Sequence, residues 1–236
     1  MTPETHPAEP HVGAINTKLN WLRAGVLGAN DGIVSVAGIV IGVAAATTER
    51  GPVLAAGIAG LAAGALSMAL GEYVSVSTQR DTEQALLAKE RRELAEEPEA
   101  EFEELVGLYR HKGLSPDTAR QVATELTEHD AFAAHVDTEL GIDPNELTNP
   151  WHAAISSAIA FTFGAMLPML AILLPPASVR IPITFVAVLL ALAITGWVSA
   201  RLGGADPRRA TQRVVIGGAL AMAITYGIGL AMGGVI

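Results

Sequence analysis

The chain has 236 residues, half of them hydrophobic, and a formal net charge of −9. It contains no cysteine, which excludes disulfides, thiolate metal sites and cysteine nucleophiles. Residues 80–148 hold 18 acidic and 7 basic side chains, whereas the rest of the chain holds 6 acidic and 8 basic ones. A strongly acidic segment does not suit nucleic acid, whose phosphates need a basic surface, but it does suit cations.

Residues 1–20 are a polar tail with three prolines. We expect no secretory signal there, because a basic start and a short apolar core before a small-residue cleavage site are both missing. Five apolar stretches follow, and each is long enough to cross a bilayer, for which about 20 residues suffice. They are residues 21–47, 53–77, 151–174, 179–200 and 214–236. The sequence therefore predicts an all-α polytopic membrane protein with five transmembrane helices.

The second apolar stretch continues into charged sequence from Thr78 with no proline or glycine at the boundary, which predicts one helix over about residues 52–95. We expect the acidic insert to form three helices, the first of which is the end of this long helix. Glu97-Pro98 and Gly113 separate the three. Ser115 and Pro116 are suited to the N-cap and first position of the third, which we expect to end at Gly141. The predicted organisation is a tail (1–20), transmembrane helices 1–2 (21–79), a cytoplasmic metal-binding domain (80–148) and transmembrane helices 3–5 (149–236).

The distribution of lysine and arginine predicts the orientation in the membrane, because short cytoplasmic loops are enriched in these residues. One side carries Lys18, Arg23, Arg201, Arg208, Arg209 and Arg213, and the other carries only Arg50 and Arg180. We therefore expect the N-terminus and the acidic insert to be cytoplasmic.

Two acidic residues lie inside apolar stretches. Asp31 is about ten residues into the first, where a carboxylate costs several kcal/mol and faces a bundle interior or a water path by default. The alternative is a structural acid that caps a broken helix at Asn30-Asp31-Gly32. Glu72 lies nearer the end of the second stretch, four residues after Met68 and on the same helix face. A thioether beside a carboxylate favours a borderline transition metal, although Glu72 alone could be an interfacial charge.

The insert carries acidic residues at helical spacing. Glu90 and Glu93 share a face of its first helix, Glu101 and Glu104 share a face of its second, and Glu139 follows His135 by one turn on the third. Helical carboxylates that converge with an imidazole are typical of iron and manganese sites in helical bundles. The alternative is a solvated charged face, which the neighbouring Arg91 and Arg92 favour.

The chain resembles the vacuolar iron transporter family of ferrous-ion/proton exchangers over nearly all of residues 20–236. The resemblance rests on NDGIVSVAGIVIGV in the first stretch, GIAGLAAGALSMALGEYVSVSTQRD in the second, the acidic insert, and FTFGAMLP in the third. It implies a homodimer of five-span protomers with a cytoplasmic metal-binding domain. It also implies a transport path through Asp31 and Met68, to which we add Glu72, and metal binding by Glu90, Glu93, Glu101, Glu104 and Glu139.

The sequence departs from the plant members of this family in the second span and in the acidic insert. They carry a glutamate where this chain has Gly60, and a glycine where it has Glu72. They also carry two methionines that align with His135 and Val136, so His135 is a candidate ligand in place of a thioether. Imidazole must be neutral to bind metal, whereas glutamates with a reference pKa of about 4.3 barely titrate between pH 6 and 7.5. We therefore expect the pH sensitivity of metal binding to come from His135.

These features predict a secondary active transporter rather than an enzyme: a proton-coupled exporter of Fe²⁺, or of Mn²⁺, with metal as cargo and no permanent cofactor. Its partners would be divalent metal ions, protons, the bilayer and a second copy of itself, and not nucleic acid. We expect it in the bacterial inner membrane, or in a vacuole-type membrane in a eukaryote. One alternative is a membrane-anchored ferroxidase with a di-iron site, although no histidine of the insert has a glutamate three residues before it. Another is a metal sensor that transports nothing.

Overall fold

The computed structural model describes residues 12–144 and 147–233, with side-chain surroundings from residue 25 onward. These residues form seven α-helices and one π-helical turn, with no strand among them, which confirms the predicted all-α fold. The helices are α1 (Val12–Ala46), α2 (Arg50–Glu96), α3 (Pro98–His111), α4 (Pro116–His135), a π turn (Val136–Leu140), α5 (Pro150–Leu173), α6 (Arg180–Leu202) and α7 (Pro207–Gly233). Residues 1–11 of the predicted tail and the last three residues of the predicted fifth span lie outside the described part.

Five of these helices, α1, α2, α5, α6 and α7, are long and apolar enough to cross a membrane. The protein is therefore an integral membrane protein. The chain divides into two compact units, which we call the membrane unit (Met1–Val74 with Pro150–Ile236) and the acidic unit (Ser75–Asn149). Helix α2 contributes to both: its 47 residues extend roughly 70 Å, about twice the thickness of a bilayer's hydrocarbon core. Its charged second half therefore lies beyond the membrane-spanning segment.

Helix α1 lies at the centre of the membrane unit and packs against α5, α6 and α7. Glycine makes the closest of these approaches possible, because it removes the side chain that would separate two helix backbones. A Cβ at Gly28 would lie 2.9 Å from the carbonyl oxygen of Ser157, and one at Gly32 would collide with the carbonyl oxygen of Phe161. On the other side of α1, a Cβ at Gly229 of α7 would collide with the carbonyl oxygen of Gly42.

Helix α2 is packed less tightly than the other spans. Only 11% of its apolar window is buried, compared with 44% for α1. Large side chains of α1 and α5 lie over its glycines. A Cβ at Gly60 would meet Ile39 of α1, and a Cβ at Gly64 would meet the Phe161 ring of α5. These two glycines of the second span therefore form part of a packing face.

The acidic unit has a small apolar core of its own, in which α3 packs against α4. Tyr109 of α3 hydrogen-bonds Thr138 of the π turn at 3.0 Å, and the Arg91 guanidinium lies 4.4 Å from the centre of the Phe132 ring. The buried core residues are Leu105, Val106, Ala119, Ala123 and Ala134.

The predicted helix-capping residues of the acidic insert are present, and the structure adds a break and a π turn near the end of its third helix. Ser115 is the N-cap of α4, and its hydroxyl accepts a hydrogen bond from the amide of Thr118 at 3.3 Å. Gly113 and Gly141 adopt the positive φ angles that suit the ends of helices. Helix α3 begins at Pro98, because proline is well suited to a first helical position. The predicted third helix is interrupted at Asp130 and closes in the π turn, which the sequence analysis did not foresee.

Candidate metal centre

Four side chains of the acidic unit converge on one point. Glu90 comes from α2, Glu101 from α3, His135 from the last residue of α4 and Glu139 from the π turn. The His135 Nδ1 lies 3.0 Å from Glu90 Oε1, 3.6 Å from Glu101 Oε2 and 3.7 Å from Glu139 Oε2. We call this group the carboxylate–histidine cluster. Three of its members are buried and Glu139 exposes 26% of its side chain, so one edge remains open to solvent.

Two atoms at the centre of the cluster lack hydrogen bonds. Glu90 Oε1 and His135 Nδ1 are close enough for one but are not aligned for it, and neither has a hydrogen-bond partner among the described residues. Buried polar atoms are nearly always satisfied, so a facing pair of this kind requires an explanation. One ligand atom each from Glu90, His135 and Glu139 can be chosen so that all lie within 4.8 Å of one another. That arrangement suits a shared cation.

The electrostatics of the cluster also favour a cation. Burial, reinforced by the negative charges of Glu139, Glu101, Glu93 and Glu104, raises the pKa of Glu90 to about 7. Burial and the neighbouring Glu104 raise the pKa of Glu101 as well, while His135 acts in the opposite direction. The expectation that the glutamates stay ionised between pH 6 and 7.5 is therefore wrong for Glu90. A proton or a metal ion can relieve the same repulsion, so the two compete.

The remaining predicted glutamates, Glu93 and Glu104, lie at the margin of the cluster. Glu93 Oε2 accepts a hydrogen bond from Lys89 Nζ at 2.7 Å, and this contact raises the pKa of Lys89. Glu104 is exposed. Both carboxylates contribute to the raised pKa of Glu90, so their charge reaches the cluster although neither belongs to the compact group of ligand atoms.

The position of His135 depends on an irregular stretch of backbone. Asp130 leaves the helical conformation at φ −162° and ψ 97°, and its carboxylate accepts a hydrogen bond from the amide of Ala133 at 2.9 Å. Asp130 thus ends one helical segment and caps the next. The π turn follows directly after His135 and carries Glu139, and such turns are frequent at functional sites. An aspartate followed by Ala131-Phe132 is a capping signal, and it could have indicated the restart.

The ligand set consists of carboxylate oxygens and one imidazole nitrogen, with no sulfur. Oxygen ligands suit Mn²⁺ and Fe²⁺, and an imidazole extends the range toward Zn²⁺ and other borderline ions. Calcium and magnesium prefer all-oxygen sites. The cluster is therefore chemically suited to first-row divalent transition metals.

The three residues expected on a transport path lie in the membrane unit. Helix α1 passes through Asp31 without a break, so the alternative of a kink there is wrong. Asp31 is half-buried, and its Oδ1 accepts a hydrogen bond from the Ser35 hydroxyl at 2.5 Å. Met68 packs against the main apolar core, and Glu72 is half-buried one turn further along α2. The hydrogen bond that the structure gives Asp31 is to Ser35 of its own helix.

A polar link beside Asp31 was missed by the sequence analysis. The Thr195 hydroxyl of α6 donates to Asn30 Oδ1 at 2.7 Å, which ties α6 to the turn of α1 that carries Asp31. Ser35, one turn after Asp31, was likewise not singled out. A serine four residues after a carboxylate in an apolar span faces the same side of the helix, and that spacing was the available signal.

Comparison with known proteins decides the family. The family model described as "VIT family" matches residues 22–230. The chain belongs to the VIT family. A protein named vacuolar iron transporter from Acanthamoeba castellanii is 48% identical over 223 residues, which cover 94% of this chain and 82% of that protein. Vacuolar iron transporter homolog 1 of Oryza sativa subsp. japonica is 37% identical over 219 residues, with 92% and 76% covered. Vacuolar iron transporter homolog 2.1 of Arabidopsis thaliana is 36% identical over 213 residues, with 89% and 81% covered.

A Cβ at Gly60 of α2 would lie 2.6 Å from Cδ1 of Ile39, so a larger residue there would require the end of the Ile39 side chain to move. Glu72 lies about three helical turns further along α2.

Proposed function

We propose that this chain exports divalent metal, with Fe²⁺ as the main cargo and Mn²⁺ as a second one, from the cytoplasm in exchange for protons. The observation that carries the proposal is the carboxylate–histidine cluster, whose facing unsatisfied atoms Glu90 Oε1 and His135 Nδ1 suit a divalent cation. Membership of the VIT family supports iron as cargo, since the relatives named above are called vacuolar iron transporters or their homologs.

In this proposal the acidic unit captures metal on the cytoplasmic side. The excess of lysine and arginine in the loops on that side supports the orientation. Capture requires affinity at low free metal, which several converging ligands supply. Release requires that the bound state be reversible at neutral pH, and a Glu90 whose pKa is about 7 lets a proton displace the ion there.

Asp31 is the residue through which we propose that metal and proton are exchanged. A carboxylate within an apolar span is costly when charged and alone, so it favours occupation by a cation or a proton. The Ser35 hydroxyl donates to Oδ1 and leaves Oδ2 as the atom that binds either species. Both cannot bind the same oxygen at once, and this competition couples their opposite movements. Met68 and Glu72 extend the path along α2.

A homodimer completes the proposal. Helix α2 leaves large side chains uncovered within one chain, among them Leu66 with 72% and Leu70 with 64% of their surface exposed. A second copy packed along α2 would place the two paths beside a common axis. The alternative of a ferroxidase has less support, because the cluster holds one histidine and lacks the paired Glu-x-x-His ligands of di-iron bundles.

The test is metal uptake into proteoliposomes that contain the full chain. We expect Fe²⁺ and Mn²⁺ flux that a pH gradient of the correct sign accelerates, together with proton movement in the opposite direction. Metal flux that is indifferent to the gradient would contradict the exchange mechanism. Metal-dependent oxygen consumption without flux would favour the ferroxidase, and binding without either would favour the sensor.

A further inference from the structure

The turn between α6 and α7 carries the densest group of basic residues in the membrane unit. Four arginines lie within 13 consecutive residues, and the only acidic residue among them is Asp206. We call this group the arginine turn, and its basic members are Arg201, Arg208, Arg209 and Arg213. None of these arginines belongs to the carboxylate–histidine cluster or to the proposed transport path. A net positive charge there is unfavourable for a metal cation, so the arginine turn is not part of the cargo's site.

Little of this charge is neutralised within the protein. The Asp206 carboxylate accepts a hydrogen bond from the backbone amide of Arg208 at 2.9 Å and lies 3.5 Å from Arg209 Nε, so it caps α7. The Arg201 guanidinium lies 5.0 Å from the centre of the Trp197 ring, where it makes a cation–π contact. The side chains of Arg208 and Arg213 have no partner among the described residues. At least two guanidinium groups are therefore available to an external anion.

The arginines line two grooves beside the start of α7, and Asp206 and Gln212 line both of them. The first, of roughly 720 Å³, is lined by Trp197, Arg201 and Arg208 among others. The second, of roughly 830 Å³, is lined by Arg209 and Arg213 at one end and by Ile216 and Leu220 at the other. Both grooves therefore join a basic end to an apolar wall.

The apolar walls face outward along membrane-spanning helices. Trp197 exposes half of its surface, and Ile216 and Leu220 expose 59% and 58% of theirs. In a bilayer these side chains are covered by acyl chains, while tryptophan prefers the level of the headgroups. A ligand that fits both ends has an anionic head and long apolar tails.

We propose that the arginine turn binds the headgroup phosphate of an anionic phospholipid, with the acyl chains along Trp197, Ile216 and Leu220. Guanidinium groups bind phosphate oxygens in pairs, and basic pockets between membrane helices are suited to lipid headgroups. Arginines that served only to orient the chain in the membrane would not need to line two grooves with outward-facing apolar walls. The charge and shape thus favour a bound lipid over a diffuse electrostatic role.

The experiment measures lipid binding to the purified full chain in a non-ionic detergent by native mass spectrometry. The probes are dioleoyl phosphatidylglycerol, dioleoyl phosphatidylcholine and inorganic phosphate. We expect phosphatidylglycerol to bind at least tenfold more tightly than phosphatidylcholine, and millimolar inorganic phosphate not to displace it. Equal affinity for the two lipids, or displacement by inorganic phosphate, would overturn the proposal in favour of a nonspecific surface or a free-anion site.

The variant is Arg208→Gln with Arg213→Gln, one residue from each groove, and neither change removes a contact within the protein. Each basic residue near a membrane surface is worth about 1 kcal/mol, so we expect the affinity for phosphatidylglycerol to fall roughly tenfold or more. The matched control is Arg92→Gln with Arg110→Gln, which removes the same charge from exposed positions of the acidic unit. A smaller loss in the arginine-turn variant, or an equal loss in the control, would overturn the proposal. A single symmetrical size-exclusion peak in the same detergent and an unchanged thermal unfolding midpoint of the full chain show that both variants are folded.

Discussion

The two units treat carboxylates in opposite ways. The membrane unit places Asp31 on an apolar helix, with the Ser35 hydroxyl as its recorded hydrogen-bond partner. The acidic unit collects Glu90, Glu101 and Glu139 around one histidine and raises the pKa of Glu90 to about 7. In the first case the apolar surroundings make an unpaired charge costly, and in the second the carboxylates repel one another. Both arrangements are relieved by a cation, but only the second supplies enough ligands to hold one tightly.

Packing differs between the units in a related way. The membrane unit brings α1 against α5 and α7 through glycine, because lipid provides no hydrophobic drive and close backbone contact must supply the attraction. The acidic unit relies on a small apolar core around Leu105 and Ala119, as a water-soluble bundle does. The difference indicates that substitutions at the cluster can be tolerated by the fold more easily than substitutions between α1 and α5.

The largest effect that we expect is from Asp31→Asn. If the lone carboxylate exchanges metal for proton, its neutral isostere should reduce Fe²⁺ flux in proteoliposomes to the level of empty vesicles while metal binding by the acidic unit is unchanged. The matched control is Glu49→Gln, which removes one negative charge from an exposed loop of the same unit. Wild-type flux in the Asp31 variant would show that this carboxylate is not on the path.

The next effect separates the centre of the cluster from its margin. Glu90→Gln with Glu101→Gln should weaken Fe²⁺ or Mn²⁺ binding roughly a hundredfold or more, because changes even to residues around metal ligands typically cost ten- to a hundredfold. Glu93→Gln with Glu104→Gln should cost about tenfold or less, since these carboxylates act only through their charge. All four changes together should remove micromolar binding.

Calorimetry on the expressed acidic unit, residues 75–149, gives these affinities, and Glu97→Gln with Glu99→Gln is the matched control at exposed positions. Equal losses in the central, marginal and control variants would mean that the glutamates form a solvated acidic face rather than a metal site.

A third effect concerns the stability of the metal-free acidic unit. The folded pKa of Glu90 lies above its ordinary value, so the folded state holds this proton more tightly than the unfolded state does. The contribution of Glu90 to stability is therefore most favourable at low pH, becomes less favourable as pH rises from about 4.5 to 7, and stays unfavourable above both values. The shift from 4.5 to about 7 corresponds to about 3 kcal/mol at most.

Glu90→Gln should remove most of this dependence and stabilise the metal-free unit at pH 8. The measurement is urea unfolding of residues 75–149 followed by circular dichroism at pH 5 and pH 8, with Glu97→Gln as the control. If the variant were less stable than the wild type at pH 8, repulsion at Glu90 would not be the dominant cost in the cluster.

The smallest effect distinguishes His135 from Glu90 as the source of pH sensitivity. Between pH 7.5 and 6, a proton that competes with the metal at Glu90, whose pKa is about 7, weakens metal binding about eightfold. If His135 is also a ligand, protons that compete with the metal there add a further loss. His135→Met cannot be protonated in this range, so its metal affinity should fall only by the Glu90 share. Binding titrations at the two pH values test this, with His129→Met as the control at an exposed position. Superimposable curves for wild type and His135→Met would remove His135 from the ligand set.

The sequence by itself determined the number and type of helices and much of the candidate site. Five apolar stretches, the uninterrupted continuation of α2 into charged sequence, and the Ser115-Pro116 cap all depend on local composition and spacing, which act within a few residues. The glutamate pairs of the acidic unit were visible for the same reason, since helical spacing places residues three or four apart on one face.

Tertiary structure alone decided which of these glutamates meet. Glu90 and Glu93 are equivalent in the sequence, yet only Glu90 is buried against His135, because the break at Asp130 and the π turn redirect the end of α4. The raised pKa of Glu90 follows from that burial and from charges on α3, on the π turn and on α2 itself, and no local pattern contains it. Spacing along one helix fixes which residues share a face, but desolvation and Coulomb interaction depend on distances between helices, which are set only when the helices pack.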